Sequence, residues 1–236
     1  MPEIAANRIL DTKDLRQPTF RNIILKMENL LREHSWLYLH PSKRWEYPWA
    51  LHRARLATGS RVLDAGCGAS IFPVNLGMLQ LKVAALDWSL PHLRQTRSNP
   101  QLTYVRGIMQ HMPFADNAFD AVFCISVIEH LPIQEMIPAL EELARVLKPG
   151  GRLLLTTDYA EDAAEPLRYE GPGKAFPVDW NLFDRPRLER LLDAVTDLEV
   201  EGELNLKADW SRIREEMRRF HGYPYTSVGI AFRKLS

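Results

Sequence analysis

From Arg61 onward, short apolar runs alternate with amphipathic stretches, and few folds accept that pattern. "RVLDA" ends in glycines and predicts a strand, "FPVNLGMLQL" a helix, and "KVAALD" a second strand. "SLPHLRQTRS" predicts a helix with Ser89 as N-cap and Pro91 in the first turn. "LTYVRG" and "FDAVFCIS" predict two more strands. "IQEMIPALEELARVLKPGG" predicts a helix with Ile137, Leu140, Leu143, Ala144 and Leu147 on one face, stopped by Pro149-Gly150-Gly151. "GRLLLTTD" is the next strand. Strands that are apolar throughout and regularly interrupted by helices are buried on both faces. The expected fold class is therefore α/β, a doubly wound, Rossmann-like parallel sheet.

The flanks differ. "FRNIILKMENLLREHSWLYL" predicts an amphipathic helix and "HPSKRWEYPWALHRARL" a second, aromatic-rich one, with no strand signal ahead of Arg61. We expect a helical N-terminal cap over 1–58 and one domain over 59–236. After Asp158 comes an irregular, proline-, glycine- and aromatic-rich stretch to Phe183, long for a loop and with no helical or strand period, expected to close over a ligand. "DRPRLERLLDAV" predicts a helix capped by Asp184, and "LEVEGELNL" and "TSVGIAFRKL" predict strands on either side of a basic helix.

Composition narrows the function. Hydrophobic residues make up 46% of 236, enough for a core, and 30 basic residues balance 30 acidic ones. A neutral chain argues against a protein built to coat nucleic acid. Two cysteines and no apolar run of membrane-spanning length point to a reduced, cytoplasmic setting without membrane or nucleic-acid partners. Oligomeric state is not legible.

The chemistry begins at "RVLDAGCGAS". Gly66 and Gly68 let backbone N–H groups approach a ligand. The dinucleotide fingerprint needs a third glycine at 71, where the chain has Ile71. Asp64 would repel a pyrophosphate and favours a ligand with a positive charge. Asp87 stands about twenty residues past the turn, where a carboxylate takes ribose hydroxyls. A ribose plus a cationic group fits S-adenosylmethionine.

The segment Arg61–Asp158 resembles the core of class I S-adenosylmethionine-dependent methyltransferases, in the small-molecule "type 11" branch. "VLDAGCGAS" resembles the first motif of that family and "ALDWS" its second-strand acid. "GIMQHMPFADNAFDAVFCISVIEHL" and "ARVLKPGGRLLLTT" resemble the runs that follow. The resemblance implies a seven-stranded sheet with an antiparallel last strand, the cofactor S-adenosyl-L-methionine, and methyl transfer at oxygen or nitrogen of a small or medium organic acceptor. It implies cofactor contacts from Asp64, Ala65, Gly66, Cys67, Gly68, Asp87, Trp88, Ile108, Met109, Gln110 and Ser126. The family often has an acid at the position of Ile108, so a less polar adenine pocket is expected.

Other candidates carry two readings each. Trp88 stacks on the adenine edge or covers the sheet. Arg44 meets the cofactor carboxylate or is a surface residue. Glu129 and His130 follow the fourth strand of the alternating run, where a histidine can take a proton from a hydroxyl; the bland alternative is that His130 caps the next helix. Some relatives bind metal through E-x-x-E-H, but Ser126 stands at the first Glu, so no metal is expected. Tyr47, Tyr159 and Trp180 are candidate acceptor contacts or core aromatics. Two other function classes stay open. A nicotinamide-dependent reductase lacks support from Ile71 and from the absence of a Lys four residues after Tyr159. The other is a module that binds the cofactor without catalysis.

Overall fold

The computed structural model describes residues 7–33, 39–89, 99–162, 167–169, 178–217 and 224–236. The expected helix after Ser89, most of the irregular stretch after Asp162, and Arg218–Arg219 lie outside these residues.

The alternating run forms β2 (Arg61–Ala65), α3 (Phe72–Met78), β3 (Lys82–Asp87), β4 (Leu102–Arg106), β5 (Phe119–Ile125), α4 (Ile133–Val146) and β6 (Leu147–Tyr159). These strands lie in the parallel order β4-β3-β2-β5-β6. β11 (Thr226–Lys234) runs antiparallel to β6, and β9 (Leu198–Val200) pairs antiparallel with β11. Those seven strands are the doubly wound sheet that the pattern predicts. Asp184 caps α5 (Arg185–Asp193), accepting from the Arg187 backbone N–H at 2.8 Å.

Several details depart from expectation. The N-terminal segment supplies a strand, β1 (Asn7–Ile9), beside β11. Three residues are too few for a period-two signal. What fixes them is tertiary: the Asn7 side chain accepts from the Ala231 N–H at 2.8 Å and donates to the Glu201 carbonyl at 2.8 Å. "LEVEGELNL" is two strands, because Gly202 adopts φ +84° between β9 and β10 (Leu204–Asn205). β10 pairs with β1, and the sheet reaches nine strands. The stretch after Asp158 holds a short hairpin, β7 (Leu167–Tyr169) with β8 (Val178–Trp180). On α4, Met136, Ala139, Leu140, Leu143 and Ala144 are buried, whereas Ile137, expected in the core, is exposed. The basic stretch near the C-terminus forms α6 (Trp210–Met217).

Two apolar layers sandwich the sheet. One joins α4 and α5 to Leu63, Leu86, Val122, Leu153 and Ile230. The other joins α1 (Pro18–Glu33), α2 (Lys43–Ala54) and α3 to Val62, Ala85, Phe123, Leu154 and Ala231. The aromatics of α2 therefore face the sheet: Trp45 stacks on Trp49 at 5.7 Å, and both are fully buried. Among the described residues no helix is long and apolar enough to cross a membrane.

Trp49 packs onto β11 at Gly229, where an added Cβ would lie 2.7 Å from the indole. The ring is buried and cannot step aside. Gly229→Ala is expected to destabilise the fold by about 1–3 kcal/mol through overpacking. Urea denaturation should show a lower midpoint with an unchanged slope.

Candidate functional site

The parallel strands deliver a set of polar side chains to their carboxyl ends, where an open α/β sheet binds its ligands. β2 enters a turn in which Gly66 has φ +79° and Gly68 φ +51°. The N–H groups of Gly66 and Cys67 donate to the Leu86 carbonyl at 2.8 and 3.0 Å, folding the turn over β3. A Cβ on Gly66 would strike the Val127 side chain at 2.5 Å, so glycine there is an internal packing requirement. A Cβ on Gly68 would meet nothing within 4 Å. That glycine leaves its surroundings open for something other than the protein.

Asp87 ends β3. One carboxylate oxygen accepts from the Gly68 N–H at 2.8 Å and the other from the Ser89 N–H at 2.9 Å. Asp64 is 3% exposed, and its Oδ2 has no hydrogen-bond partner. Burial first, then the charge of Asp87, pushes its carboxyl up to about 8, with Lys43 working in the opposite direction. An unsatisfied buried carboxylate is costly. It fits a group that brings both a positive charge and N–H donors, such as the ammonium of S-adenosylmethionine. Ala65 is buried in β2 and Cys67 beneath the turn.

The segment after β4 divides. Ile108 is 54% exposed, whereas Met109 is buried, its sulfur 4.0 Å from the Cys124 thiol. The Gln110 amide donates to Glu135 on α4. Of the three expected adenine contacts, the Ile108 side chain is exposed, Gln110 half-buried and Met109 buried. Trp88 is 55% exposed beside Asp87, so its indole does not cover the sheet. Ile71 is fully buried in the α3-side core.

Sequence reasoning missed Glu46 and Lys43. Glu46 lies on the sheet-facing side of α2 and is fully buried. Its carboxylate accepts from Lys43 Nζ at 2.8 Å, Thr156 Oγ1 at 2.6 Å, Ser126 Oγ at 2.7 Å and Ser227 Oγ at 3.2 Å. Burial alone would raise its carboxyl, but Lys43 and the hydroxyls outweigh burial and hold it at about 2. Ser126 has φ +52°, a strained conformation for a serine. Its N–H is bound by the Thr156 carbonyl at 3.0 Å and its hydroxyl by Glu46. Arg44 points elsewhere, pairing with Glu28 of α1. The neighbouring Lys43 is the cation whose charge reaches Asp64 and Glu129.

Beyond β5, Glu129 is 0% exposed and His130 half-buried in a 3-10 turn. His130 Nδ1 lies 3.2 Å from the Asp179 carbonyl; an acceptor there places the ring proton on Nδ1 and makes Nε2 the basic atom. Burial pushes the Glu129 carboxyl up to about 7, against the pull of Lys43. Trp180 donates its indole N–H to Asp158 at 2.9 Å, beside Glu129. Tyr159 is buried on the other side of the sheet, near Trp210. Tyr47 is buried against Phe72, stacked at 4.3 Å. The structure therefore brings together Asp64, the glycine turn, Asp87, Ser126, Glu129 and Trp180. It turns Arg44 towards α1 and buries Tyr159 near Trp210.

The methyltransferase-domain family matches residues 63–155, the span from β2 to β6 that builds this edge. The ubiquinone biosynthesis O-methyltransferase of Xanthomonas oryzae pv. oryzae is 34% identical over 119 residues, which cover 48% of this chain and 49% of that protein. The chain thus spans about half the length of the curated relatives it matches. The fold is shared with the 1,6-didemethyltoxoflavin-N1-methyltransferase of Burkholderia thailandensis, solved with its substrate and S-adenosylhomocysteine (TM-score 0.61, 17% identity, 98% of this chain and 100% of that one). It is shared equally with the [4+2]-cyclase SpnF (TM-score 0.62, 18% identity, 98% and 99%). Residues 63–155 are thus similar to the methyltransferase domain in sequence, and the described chain shares its fold with methyltransferases.

Two carboxyls should leave opposite marks on stability. Asp64, raised in the folded state, binds a proton that the unfolded chain releases. Its contribution is present below its ordinary 3.8 and is lost as pH rises through about 8. Glu46, lowered in the folded state, contributes above its ordinary 4.5, and that contribution is lost as pH falls towards about 2. In thermal scans of the ligand-free protein, Asp64→Asn is expected to flatten the loss of stability between weakly acidic and weakly alkaline pH. It should leave the acid limb unchanged.

Proposed function

We propose that the chain transfers the methyl group of S-adenosylmethionine to a small or medium organic acceptor, at oxygen or nitrogen. The observation that carries this reading is the buried, unsatisfied Asp64 beside a glycine turn open at Gly68, with Asp87 one strand away. Ile71, buried where a nicotinamide site needs its third glycine, favours this reading over a reductase. The curated relatives are named for methyl transfer to quinone precursors, which supports an acceptor of modest size.

Bound S-adenosylmethionine supplies an electrophilic methyl group on a sulfonium. The chain's residues align and desolvate the reacting pair. Asp64 takes the ammonium, the open space at Gly68 lets the cofactor lie against the turn, and Asp87, held by the Gly68 N–H, takes the ribose hydroxyls. Trp88 and Ile108 flank the adenine. Lys43, with one of its three N–H donors on Glu46, reaches the cofactor carboxylate in place of Arg44. Ser126 is held at the donor end. His130 Nε2 accepts a proton from an acceptor hydroxyl or amine.

Calorimetry tests the assignment. S-adenosylhomocysteine should bind and NAD should not. Asp87→Ala should weaken binding by roughly 1.5–3 kcal/mol, the scale of a charge-assisted hydrogen bond. Gly68→Val should abolish binding in a protein that still unfolds cooperatively. Normal binding by that variant would remove the turn from the site. Turnover against a panel of hydroxyl and amine acceptors separates catalysis from binding alone, and no methylation with tight cofactor binding would leave only the latter.

A further inference from the structure

Once the cofactor's contacts are assigned, two acids remain at the carboxyl ends of β5 and β6. Glu129 is 0% exposed; its Oε2 accepts from Thr157 Oγ1 at 3.2 Å, and its Oε1 has no partner. Its backbone carbonyl receives both the N–H and the side-chain amide of Asn181, each at 2.9 Å, so the turn that carries it is fixed. Asp158 is half-buried and is oriented by the indole N–H of Trp180, whose ring lies edge-on to Tyr225 at 5.0 Å. After burial, the charge of Glu129 is the main influence raising the Asp158 carboxyl. Adjacent residues also tie the two acids into one cluster: Thr157 donates to Glu129 and Trp180 to Asp158, while Asn181, next to Trp180, donates to the Glu129 carbonyl.

Around them stand Lys43 and Glu46 from α2, Asp64 from β2, Cys124 from β5 and His130. Lys43 is the described cation nearest them, and its ammonium is bound to Glu46. Two crowded acids without a dedicated counter-ion are held partly protonated, and a ligand that brings a positive charge would let them ionise. β2, with Asp64, lies next to β5. Glu129 and Asp158 therefore lie one and two strands away from Asp64, beside the place assigned to the methyl donor.

We propose that Glu129 and Asp158 bind the acceptor through a basic nitrogen carried as an ammonium or amidinium. Asp158 makes the contact, and Glu129 supplies the second negative charge from beneath. This rests on the methyltransferase reading, and it concerns the group by which the acceptor is held, not the atom that is methylated.

The test uses the full chain saturated with S-adenosylhomocysteine and three probes of similar shape: benzylamine, benzyl alcohol and benzoate. Benzylamine should bind about tenfold or more tighter than benzyl alcohol, the scale of a charge-assisted hydrogen bond, and benzoate should bind weakest. Asp158→Asn should erase the preference and Glu129→Gln should reduce it. Cofactor-product affinity in both variants should stay unchanged, which also verifies their fold. Equal binding of the amine and the alcohol, no binding of any probe, or a preference surviving both substitutions would overturn the inference while leaving the cofactor site standing. So would binding of Mg²⁺ or Mn²⁺ alone that is lost in Asp158→Asn. Failure of S-adenosylhomocysteine to bind would remove the methyltransferase reading and this inference with it.

Discussion

The buried carboxylate of Glu46 holds the functional edge together. It collects an ammonium from its own helix and hydroxyls from β6, β11 and the turn after β5. A buried charge is tolerated only when hydrogen-bonded and paired, and this one has four partners. The arrangement fixes α2 across the strand ends, and the strained Ser126 keeps its left-handed backbone because Thr156 and Glu46 hold it from two sides. Lys43, drawn in by Glu46, becomes the positive charge of a region otherwise lined with acids.

That region follows from parallel topology. Five parallel strands present their carboxyl ends on one side, so the residues at or just beyond those ends gather there whatever their separation in sequence. Asp64, Asp87, Glu129 and Asp158 are such residues. Burial first, then the charge of a neighbouring acid, raises three of these carboxyls well above the ordinary range. The electrostatics suit ligands that arrive positively charged, and S-adenosylmethionine has such a charge at its sulfonium.

How much of this was legible in the sequence depended on distance along the chain. Asp64, Gly66, Gly68 and Asp87 lie within about two dozen residues and form a local pattern of strand, turn and strand, so their role is readable from spacing. Glu46 is not, since its partners Ser126, Thr156 and Ser227 stand 80, 110 and 181 residues away. In sequence it is one charge in an aromatic helix. Arg44 attracted attention because guanidinium suits a carboxylate, but helical geometry turns it towards α1 and turns Lys43 to the sheet. β1 escaped detection because three residues carry no periodicity. The break at Gly202 was hidden because a glycine inside an alternating apolar and polar run does not announce its φ angle.

The contact between Gly66 and Val127 has a mechanical consequence. No side chain fits between the two turns, since even a Cβ would overlap the valine, so they touch as rigid bodies. On the proposed reading the first turn lies against the methyl donor, and the second leads into Glu129 and His130. Neither can shift without displacing the other. A ligand that stiffens one therefore stiffens both, and by linkage each lowers the entropic cost of binding the other. The two turns thus share a single wall, one valine thick.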